Sequence, residues 1–245
     1  MSDARPIALV TGASSGIGEA SVRALAEAGF ETIAAARRLE RCEALAADVG
    51  GRAAALDVTD QSSIDELAAS IDRLDLIVHS AGGALGLEPV AEFDDANWTE
   101  MFESNVLGVA RVTRALLPAL RRSDAPAIQI IGSVAGVEAY KGGGGYTAAK
   151  HAVHALAQTL RLELLEDGVR ITEIAPGLVE TEFSLVRFGG DREKAEAVYD
   201  GIEPLVAEDV AAVVAFCATR PPNVDVDYVG VKPTAQATAK ISYRK

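Results

Sequence analysis

Short apolar runs alternate with helical patterns along the whole chain, and this alternation limits the possible fold more than any other feature. Near-continuous apolar strands separated by helices are typical of a parallel sheet whose two faces are both covered. Right-handed crossover connections then give a doubly wound α/β sheet, the Rossmann fold, with helices on both faces. The seven predicted strands are Ile7–Thr11, Thr32–Arg37, Ala53–Asp57, Leu76–His79, Ala127–Ile131, Arg170–Ile174 and Asp227–Val231.

Helical patterns fill the sequence between these strands. The predicted helices are residues 16–28, 39–48, 61–71, about 95–121, about 146–166 and 207–219. No repeat, low-complexity tract or linker divides the chain, so we predict a single domain over residues 1–245. The tail, residues 231–245, is too polar to form a core element, and we expect it to fray or to pack on another subunit.

Charge and cysteine content exclude several classes of protein. The formal net charge of −13 argues against nucleic acid and anionic membranes as partners. Cys42 and Cys217 are far apart in sequence and predict neither a disulfide framework nor a metal site. Because the sequence has no apolar signal region and no apolar run of membrane-spanning length, we expect a cytoplasmic protein.

A glycine-rich stretch joins the first predicted strand to the first predicted helix. Small residues let the backbone approach a pyrophosphate, and a helix N-terminus offers N–H donors and the positive end of its dipole. A tight turn that binds nothing is the alternative, but the first βα junction is where doubly wound folds bind dinucleotides. The stretch therefore predicts a dinucleotide site with the candidate ligands Gly12, Ser14, Ser15, Gly16, Ile17 and Gly18.

The end of the second predicted strand indicates which dinucleotide binds. NAD sites usually have an acidic residue about 20 positions after the glycines, where it binds the ribose 2′-hydroxyl. This chain instead has Arg37 and Arg38, whose guanidinium groups suit a 2′-phosphate. We therefore predict NADP as the cofactor, with Arg37 as the main phosphate ligand and Arg38 in support.

Tyr146 and Lys150 are four positions apart, so they lie on the same face of a predicted helix. An ammonium close to a phenol favours the phenolate, so we expect Lys150 to lower the pKa of Tyr146 towards neutral pH. Such a phenol can exchange the proton of a carbonyl reduction or an alcohol oxidation. The same spacing also arises by chance, with the lysine on the surface, and the neighbouring motifs favour the functional interpretation.

Further candidates lie at predicted strand ends, the rim where open α/β sheets bind ligands. They are Asp57 and Val58 after the third strand, Ala81 and Gly82 after the fourth, and Ser133 after the fifth. A serine at a strand end is often structural. With Tyr146 thirteen positions later, however, Ser133 could hydrogen-bond a substrate oxygen.

Together these motifs resemble the short-chain dehydrogenase/reductase family over essentially the whole chain. The matching residues, in order, are Gly12-x-x-x-Gly16-x-Gly18, Asp57, Ala81-Gly82, Asn105, Ser133, Tyr146-x-x-x-Lys150 and Pro176-Gly177-x-x-x-Thr181. The resemblance implies that Tyr146 is the catalytic acid/base and that Lys150 lowers its pKa and binds the nicotinamide ribose. By the same resemblance, Ser133 stabilises the reacting oxygen, Asn105 fixes a water in a proton relay, and Thr181 and the backbone at Val179 orient the carboxamide.

One motif departs from the family pattern. Where the family usually has Asn-Asn-Ala-Gly, this chain has His79-Ser80-Ala81-Gly82. Ser80 is shorter than asparagine and lacks its amide, so the contacts of Ser80 to the sheet or the cofactor stay open. We expect His79 to be a structural replacement, because Tyr146 already supplies the acid/base.

Residues 84–89, Trp98 and 181–199 look like those of the NADP-dependent 3-hydroxy acid dehydrogenases, a subgroup that includes serine dehydrogenases and is usually homotetrameric. That resemblance implies oxidation of small 3-hydroxy acids and reduction of semialdehydes. Residues 182–200 would cover the substrate, with Gly189 and Gly190 as a hinge. Arg187 would pair with the substrate carboxylate, and Lys141 is the alternative cation.

The sequence leaves other functions open. A 3-oxoacyl thioester reductase, or a secondary-metabolism aldehyde or ketone reductase, is the alternative activity on the same scaffold. A protein that senses NADPH without turnover is the alternative outside the enzymes, although it would have little need for Ser133, Tyr146 and Lys150 together. The exact substrate, the stereochemistry, the direction of reaction and the pathway are not determined by these residues.

Overall fold

A seven-stranded parallel sheet forms the centre of the computed structural model, which describes residues 5–244. Its strands are β1 (Ile7–Thr11), β2 (Glu31–Ala36), β3 (Arg52–Ala55), β4 (Leu76–His79), β5 (Ala127–Ile131), β6 (Arg170–Pro176) and β7 (Tyr228–Val231). They lie in the order β3-β2-β1-β4-β5-β6-β7, and each neighbouring pair is parallel. All seven predicted strands are confirmed, with ends that move by two residues or fewer.

Helices cover both faces of this sheet. They are α1 (Gly16–Glu27), α2 (Leu39–Val49), α3 (Gln61–Ala69), α4 (Asp95–Phe102), α5 (Gly108–Leu120), α6 (Gly144–Glu163), α7 (Glu182–Arg187), α8 (Arg192–Ala197) and α9 (Ala207–Ala218). Helices α3, α5 and α6 pack on one face, and α1, α2 and α9 pack on the other. The predicted doubly wound Rossmann fold is thus confirmed. No helix in the described part of the chain combines the length and the apolar character needed to span a membrane.

Each central strand contributes to two separate hydrophobic cores. In β1, Leu9 faces the core beneath α3, α5 and α6, whereas Ala8 and Val10 face the core beneath α1, α2 and α9. Successive residues of a strand point to opposite faces, so a strand covered on both faces must be apolar at every position. This requirement explains why the strands appear in the sequence as continuous apolar runs.

The connections reverse direction between β1 and β4. The chain runs from β1 outward through β2 to β3, and it then returns to place β4 on the other side of β1. At such a switch point the loops after the two strands separate, which leaves a crevice at their carboxyl ends. The glycine-rich turn and the segment after His79 border that crevice.

The predicted helix of about 95–121 is three pieces. A π-helical turn, Glu103–Leu107, separates α4 from α5. A π-turn inserts an extra residue into an otherwise regular helical pattern, so the sequence periodicity did not reveal it. The inserted turn contains Asn105, whose amide nitrogen donates to the carbonyl oxygens of Gly83 and Met101 at 2.9 and 2.8 Å.

The tail contacts its own chain, so the expectation that it frays was wrong, and its packing on another subunit stays a prediction. Gln236 is buried, and its side-chain oxygen accepts a hydrogen bond of 2.8 Å from the backbone N–H of Leu178. Arg244 donates to the carbonyl oxygens of Val198 and Asp200. These attachments are hydrogen bonds rather than apolar contacts, so hydrophobic patterning did not predict them.

Candidate active site

A cleft of about 1180 Å³ opens at the carboxyl ends of the strands, next to the crevice between β1 and β4. Its lining brings together all of the predicted site residues except Gly18, although they come from distant parts of the sequence. They are Gly12, Ser14, Ser15, Gly16, Ile17, Arg37, Arg38, Asp57, Val58, Ser80, Ala81, Gly82, Asn105, Ser133, Tyr146, Lys150, Pro176, Gly177, Val179, Thr181 and Arg187.

The glycine turn at one end of the cleft is built by close backbone contacts. Gly12 has a φ of +69°, and a Cβ at this position would lie 2.8 Å from the carbonyl oxygen of Ser80. A Cβ on Gly18 would overlap the carbonyl oxygen of Gly12. Gly18 therefore packs α1 against the turn and does not line the cleft, and its role as a cofactor ligand stays a prediction. The small residues leave a cradle that fits a pyrophosphate.

Three arginines and one acid lie at the outer part of this end. Arg38 donates to the hydroxyls of Ser14 and Ser15 at 3.0 and 2.7 Å, and it pairs with Glu182 at 2.9 Å. Arg41 reaches the other carboxylate oxygen of Glu182 at 3.0 Å, and hydrogen bonds from Arg41 and Arg38 lower the pKa of Glu182. Arg37 is exposed and makes no hydrogen bond or ion pair to any residue in 5–244.

Arg41 and Glu182 were missed by the sequence analysis. The spacing of Arg38 and Arg41 within one helical turn could have indicated the second arginine. Glu182 is 141 residues from Arg41, and no local pattern relates the two. Only the fold therefore brings that carboxylate to the arginines.

Tyr146 and Lys150 are both buried on α6 and face the cleft, as their spacing predicts. The Lys150 ammonium donates to the carbonyl oxygen of Ile131 at 2.9 Å and lies 5.8 Å from the centroid of the Tyr146 ring. Burial raises the pKa of Tyr146 to about 12 and lowers the pKa of Lys150 to about 8. The expected lowering of the Tyr146 pKa by Lys150 is not seen in this structure, because burial of the phenol is the largest influence on its pKa.

Two other groups lower the pKa of the Tyr146 phenol and so oppose the effect of its burial. The Ser133 hydroxyl and the Arg187 guanidinium both favour the phenolate of Tyr146. Ser133 follows β5, where its extended backbone begins a short 3₁₀ turn, and its oxygen accepts a hydrogen bond of 3.1 Å from the N–H of Ala135. Its hydroxyl proton is thus available as a donor on the cleft side.

Asn105 leaves one polar atom without a partner. Its side-chain oxygen is buried and accepts no hydrogen bond from any described residue. A Cβ on Gly82 would lie 2.5 Å from this oxygen, so only glycine fits beside it. Because buried polar atoms are almost always satisfied, the oxygen fits a bound water or a ligand in the cleft.

His79 and Ser80 replace the usual family residues without disturbing the turn. The Thr11 hydroxyl accepts hydrogen bonds of 3.1 Å from the backbone N–H groups of both Ser80 and Ala81. His79 lies in the core, where its ring nitrogen is 2.9 Å from the Thr113 hydroxyl and burial lowers its pKa to about 3. It is therefore a neutral packing residue outside the cleft lining.

Arg187 lies beside Tyr146 at the other end of the cleft. It donates to the carbonyl oxygen of Gly86 and to the Tyr140 hydroxyl, each at 3.0 Å. Its guanidinium carbon is 5.7 Å from the centroid of the Tyr146 ring. The remaining amino group, Nη2, is buried and has no partner among residues 5–244. An anionic group of a ligand could bind this free donor next to the phenol. The sequence analysis did not identify Tyr140.

Part of the segment predicted to cover the substrate, residues 182–200, lines this end of the cleft. Phe183 packs edge-on against Tyr146 at 5.5 Å between ring centroids. Tyr199 donates to the carbonyl oxygen of Val179 at 2.9 Å and shares a 2.8 Å hydrogen bond with Ser184. These contacts hold α7 next to the phenol.

The chain matches known proteins over nearly its whole length. Residues 6–187 match the family model described as short chain dehydrogenase. Sulfoacetaldehyde reductase 2 of Chromohalobacter salexigens is 44% identical over 240 residues, with 94% of this chain and 95% of that protein covered. The NADP-dependent 3-hydroxy acid dehydrogenase of Schizosaccharomyces pombe is 39% identical over 248 residues, with coverage of 97% and 96%.

A solved structure gives the same result for the fold. The closed form of serine dehydrogenase complexed with NADP+ superposes with a TM-score of 0.92 at 38% identity, and the match covers 98% of this chain and 99% of that one. A doubly wound sheet binds its ligand in the crevice at its switch point, where this cleft lies. The chain belongs to the short chain dehydrogenase family. It is an NADP-dependent oxidoreductase that acts on alcohol groups.

Proposed function

We propose that this enzyme interconverts the alcohol and the carbonyl of a small substrate that carries an acidic group, such as a 3-hydroxy acid or a semialdehyde. The observation that carries the proposal is the unpartnered, buried Nη2 of Arg187 beside Tyr146. In a protein with a net charge of −13, an anionic substrate needs a specific cation. The relatives named for 3-hydroxy acids, serine and sulfoacetaldehyde support a substrate of this kind.

The glycine turn and its neighbours fit the cofactor. We assign the pyrophosphate to the cradle at Gly12 and Gly16, and the 2′-phosphate to Arg37 and Arg38 with Ser14 and Ser15. Asp57, Val58, Ser80, Ala81 and Gly82, together with Pro176, Gly177, Val179 and Thr181, line the rest of that region. NADP supplies or accepts the hydride when bound, and all other steps fall to side chains of this chain.

Tyr146 exchanges the proton of the reacting oxygen in this proposal. Ser133 donates a hydrogen bond to the same oxygen, so two hydroxyls stabilise the charge that develops there. Because burial raises the pKa of Tyr146 to about 12, the phenolate needs positive groups nearby. Arg187 and Lys150, whose charged groups lie 5.7 and 5.8 Å from the centroid of the ring, supply that charge. The unpartnered oxygen of Asn105 would hold the water through which Tyr146 regains its proton.

The closed end of the cleft supports a small substrate over the alternative, a 3-oxoacyl thioester. Phe183 covers the phenol, and the hydrogen bond from Arg187 to Gly86 ties the end of α7 to the loop after β4. A long acyl chain would have to separate these contacts. A compact hydroxy acid or semialdehyde would need no such opening.

A substrate panel tests the proposal. With NADPH in excess, kcat/KM is measured for succinic semialdehyde and sulfoacetaldehyde and for butanal, which has the same carbon number as the first. A charge-assisted hydrogen bond of about 2 kcal/mol predicts that both anions exceed butanal by about thirtyfold. Equal values, or a preference for butanal, would reject the acidic substrate class.

A further inference from the structure

Glu173 is a buried carboxylate in the middle of β6, and its side chain is 2% exposed. One oxygen, Oε2, lies 2.5 Å from Nδ1 of His154 on α6. The other oxygen, Oε1, has no hydrogen-bond partner among the described residues. Buried carboxylates are unfavourable unless paired, and a half-satisfied one at this position needs an explanation.

The free oxygen of Glu173 faces the turn that carries Ser133. A Cβ on Gly132 would overlap Oε1, so the carboxylate packs directly against the residue before Ser133. A Cβ on Gly136 would lie 3.7 Å from the same oxygen and 2.9 Å from the backbone oxygen of Lys150. Glu173 thus occupies the space between the serine turn and the helix that carries the catalytic pair.

His154 connects this acid to the same face of α6. Tyr146, Lys150, His154 and Gln158 follow one another at intervals of four, so they form one row along the helix. The His154 ring is held between Glu173 and the edge-on ring of Tyr228, whose centroid is 5.8 Å away. His154 therefore fixes the carboxylate one helical turn beyond Lys150.

We propose that Glu173, held in place by His154, is a positioning residue that keeps the Lys150 side chain in its ammonium form. The proposal rests on the role assigned above to Lys150 beside Tyr146. Glu173 packs from β6 against Gly132, next to Ile131, whose carbonyl oxygen accepts the hydrogen bond from the Lys150 ammonium. Tyr146 and His154 share the row of Lys150 on α6, Arg187 approaches Tyr146 from α7, and Tyr228 belongs to β7. Among these groups Glu173 is the one whose negative charge favours a protonated lysine.

The electrostatics give the direction of the effect. Burial lowers the pKa of Lys150 to about 8, even though the charge of Glu173 raises it. Loss of that charge lowers the pKa further, because charge interactions are strong in a buried, weakly polarisable environment. The enzyme would then hold a neutral amine over part of the range between pH 7 and 9, where it would no longer stabilise the phenolate of Tyr146.

Glu173→Gln is the test, because glutamine keeps the shape and can still bond to His154 while it removes the charge. We expect a defect that depends on pH. At pH 6 the variant should be within about twofold of wild type, and at pH 8.5 its kcat/KM should be about tenfold lower, as a pKa shift of one unit predicts. The affinity for NADPH, measured by cofactor fluorescence over the same pH range without substrate, should fall only at high pH. A loss equal at all pH values, or no loss, would overturn the proposal.

Two variants of His154 give an independent control. His154→Leu removes the group that holds the carboxylate, so the negative charge is no longer kept in place near Lys150. It should therefore reproduce the high-pH defect of Glu173→Gln, whereas His154→Gln keeps a donor and should retain the wild-type profile. Equal losses in both variants at every pH would indicate packing alone and would contradict the inference. Failure of wild type on the substrate panel would reject the substrate class, but the NADPH dissociation constants would still test Glu173.

Discussion

Arg38 and Glu182 are 144 positions apart in the sequence and form an ion pair of 2.9 Å across the mouth of the cleft. Arg38 also binds the hydroxyls of the glycine turn, and Glu182 begins α7, which lies over Tyr146. The pair therefore joins the end of the cleft that fits the cofactor phosphates to the segment that covers the substrate end. Both side chains are about two-fifths exposed, so the pair contributes little to global stability. Its importance is that it links the two ends of the cleft.

Cofactor preference should depend on the arginines after β2. Arg38→Ala should lower kcat/KM for NADPH by about tenfold or more and leave NADH within about threefold, because only NADPH has a 2′-phosphate to pair. Arg37→Asp should reverse the preference, since an acid binds the free ribose hydroxyl and repels the phosphate. Initial rates with both cofactors give the ratio. Equal losses on NADPH and NADH would place these residues outside the phosphate site.

Tyr146→Phe should abolish turnover and leave the fold and most NADPH affinity intact. The change removes only the hydroxyl that exchanges the proton, and such groups contribute about 10² to 10⁴ in rate. Stopped-flow absorbance of NADPH gives kcat, and fluorescence titration gives the affinity. If the purified variant keeps more than about a tenth of the wild-type kcat, another acid performs the step.

Arg187→Ala should raise KM steeply for an anionic aldehyde and barely change an uncharged one. The reason is that its free Nη2 would pair with the substrate anion. Lys141→Ala is the matched control, because Lys141 also lines the cleft but makes no comparable contact with the phenol. Parallel losses on both aldehydes would instead show that Arg187 orders α7 through Gly86 and Tyr140. If Lys141→Ala raised KM for the anionic aldehyde alone, Lys141 rather than Arg187 would bind the anion.

Lys150→Met should stabilise the protein at pH 7 while it removes activity. Burial lowers the pKa of Lys150 from 10.5 to about 8, so the unfolded chain binds the proton more tightly. Below pH 8 that difference in proton affinity destabilises the folded enzyme by up to about 3 kcal/mol. The hydrogen bond from Lys150 to Ile131 offsets part of this destabilisation. The advantage of the variant should shrink as pH rises from about 8 to 10.5. Urea unfolding at pH 7 and at pH 10.5 measures the difference in free energy of unfolding between the variant and wild type. The same difference at both pH values would contradict the assigned pKa.

We also expect a homotetramer in solution. The family resemblance is the main basis, and the exposed side chains of Leu162 and Leu165, at 77% and 71%, indicate apolar surface at the end of α6. Light scattering at micromolar concentration should give a mass near four times 25.5 kDa. Leu162→Glu should weaken the assembly, with Glu163→Gln as a control on the neighbouring residue. A monomeric wild type would remove this prediction.

The sequence by itself determined the sheet, the order of its motifs and most of the candidate residues that the cleft brings together. Apolar runs such as Ala127–Ile131 are local signals, because a strand buried on both faces must be apolar at every position. Likewise, Tyr146 and Lys150 share a face through helical periodicity alone, whatever packs around them. The glycine turn was predicted as a dinucleotide site for a similar reason, since it lies at the first βα junction, where doubly wound folds bind dinucleotides.

Only the tertiary structure decided how these groups act. The pKa of Tyr146 depends on the surfaces that enclose it, and burial reversed the direction expected from Lys150. The partners Arg38 and Glu182, Arg187 and Gly86, and His154 and Glu173 come from different elements, and no sequence period relates them. Local patterns report backbone geometry over a few residues, whereas desolvation and charge pairing arise between surfaces that meet only after the chain has folded.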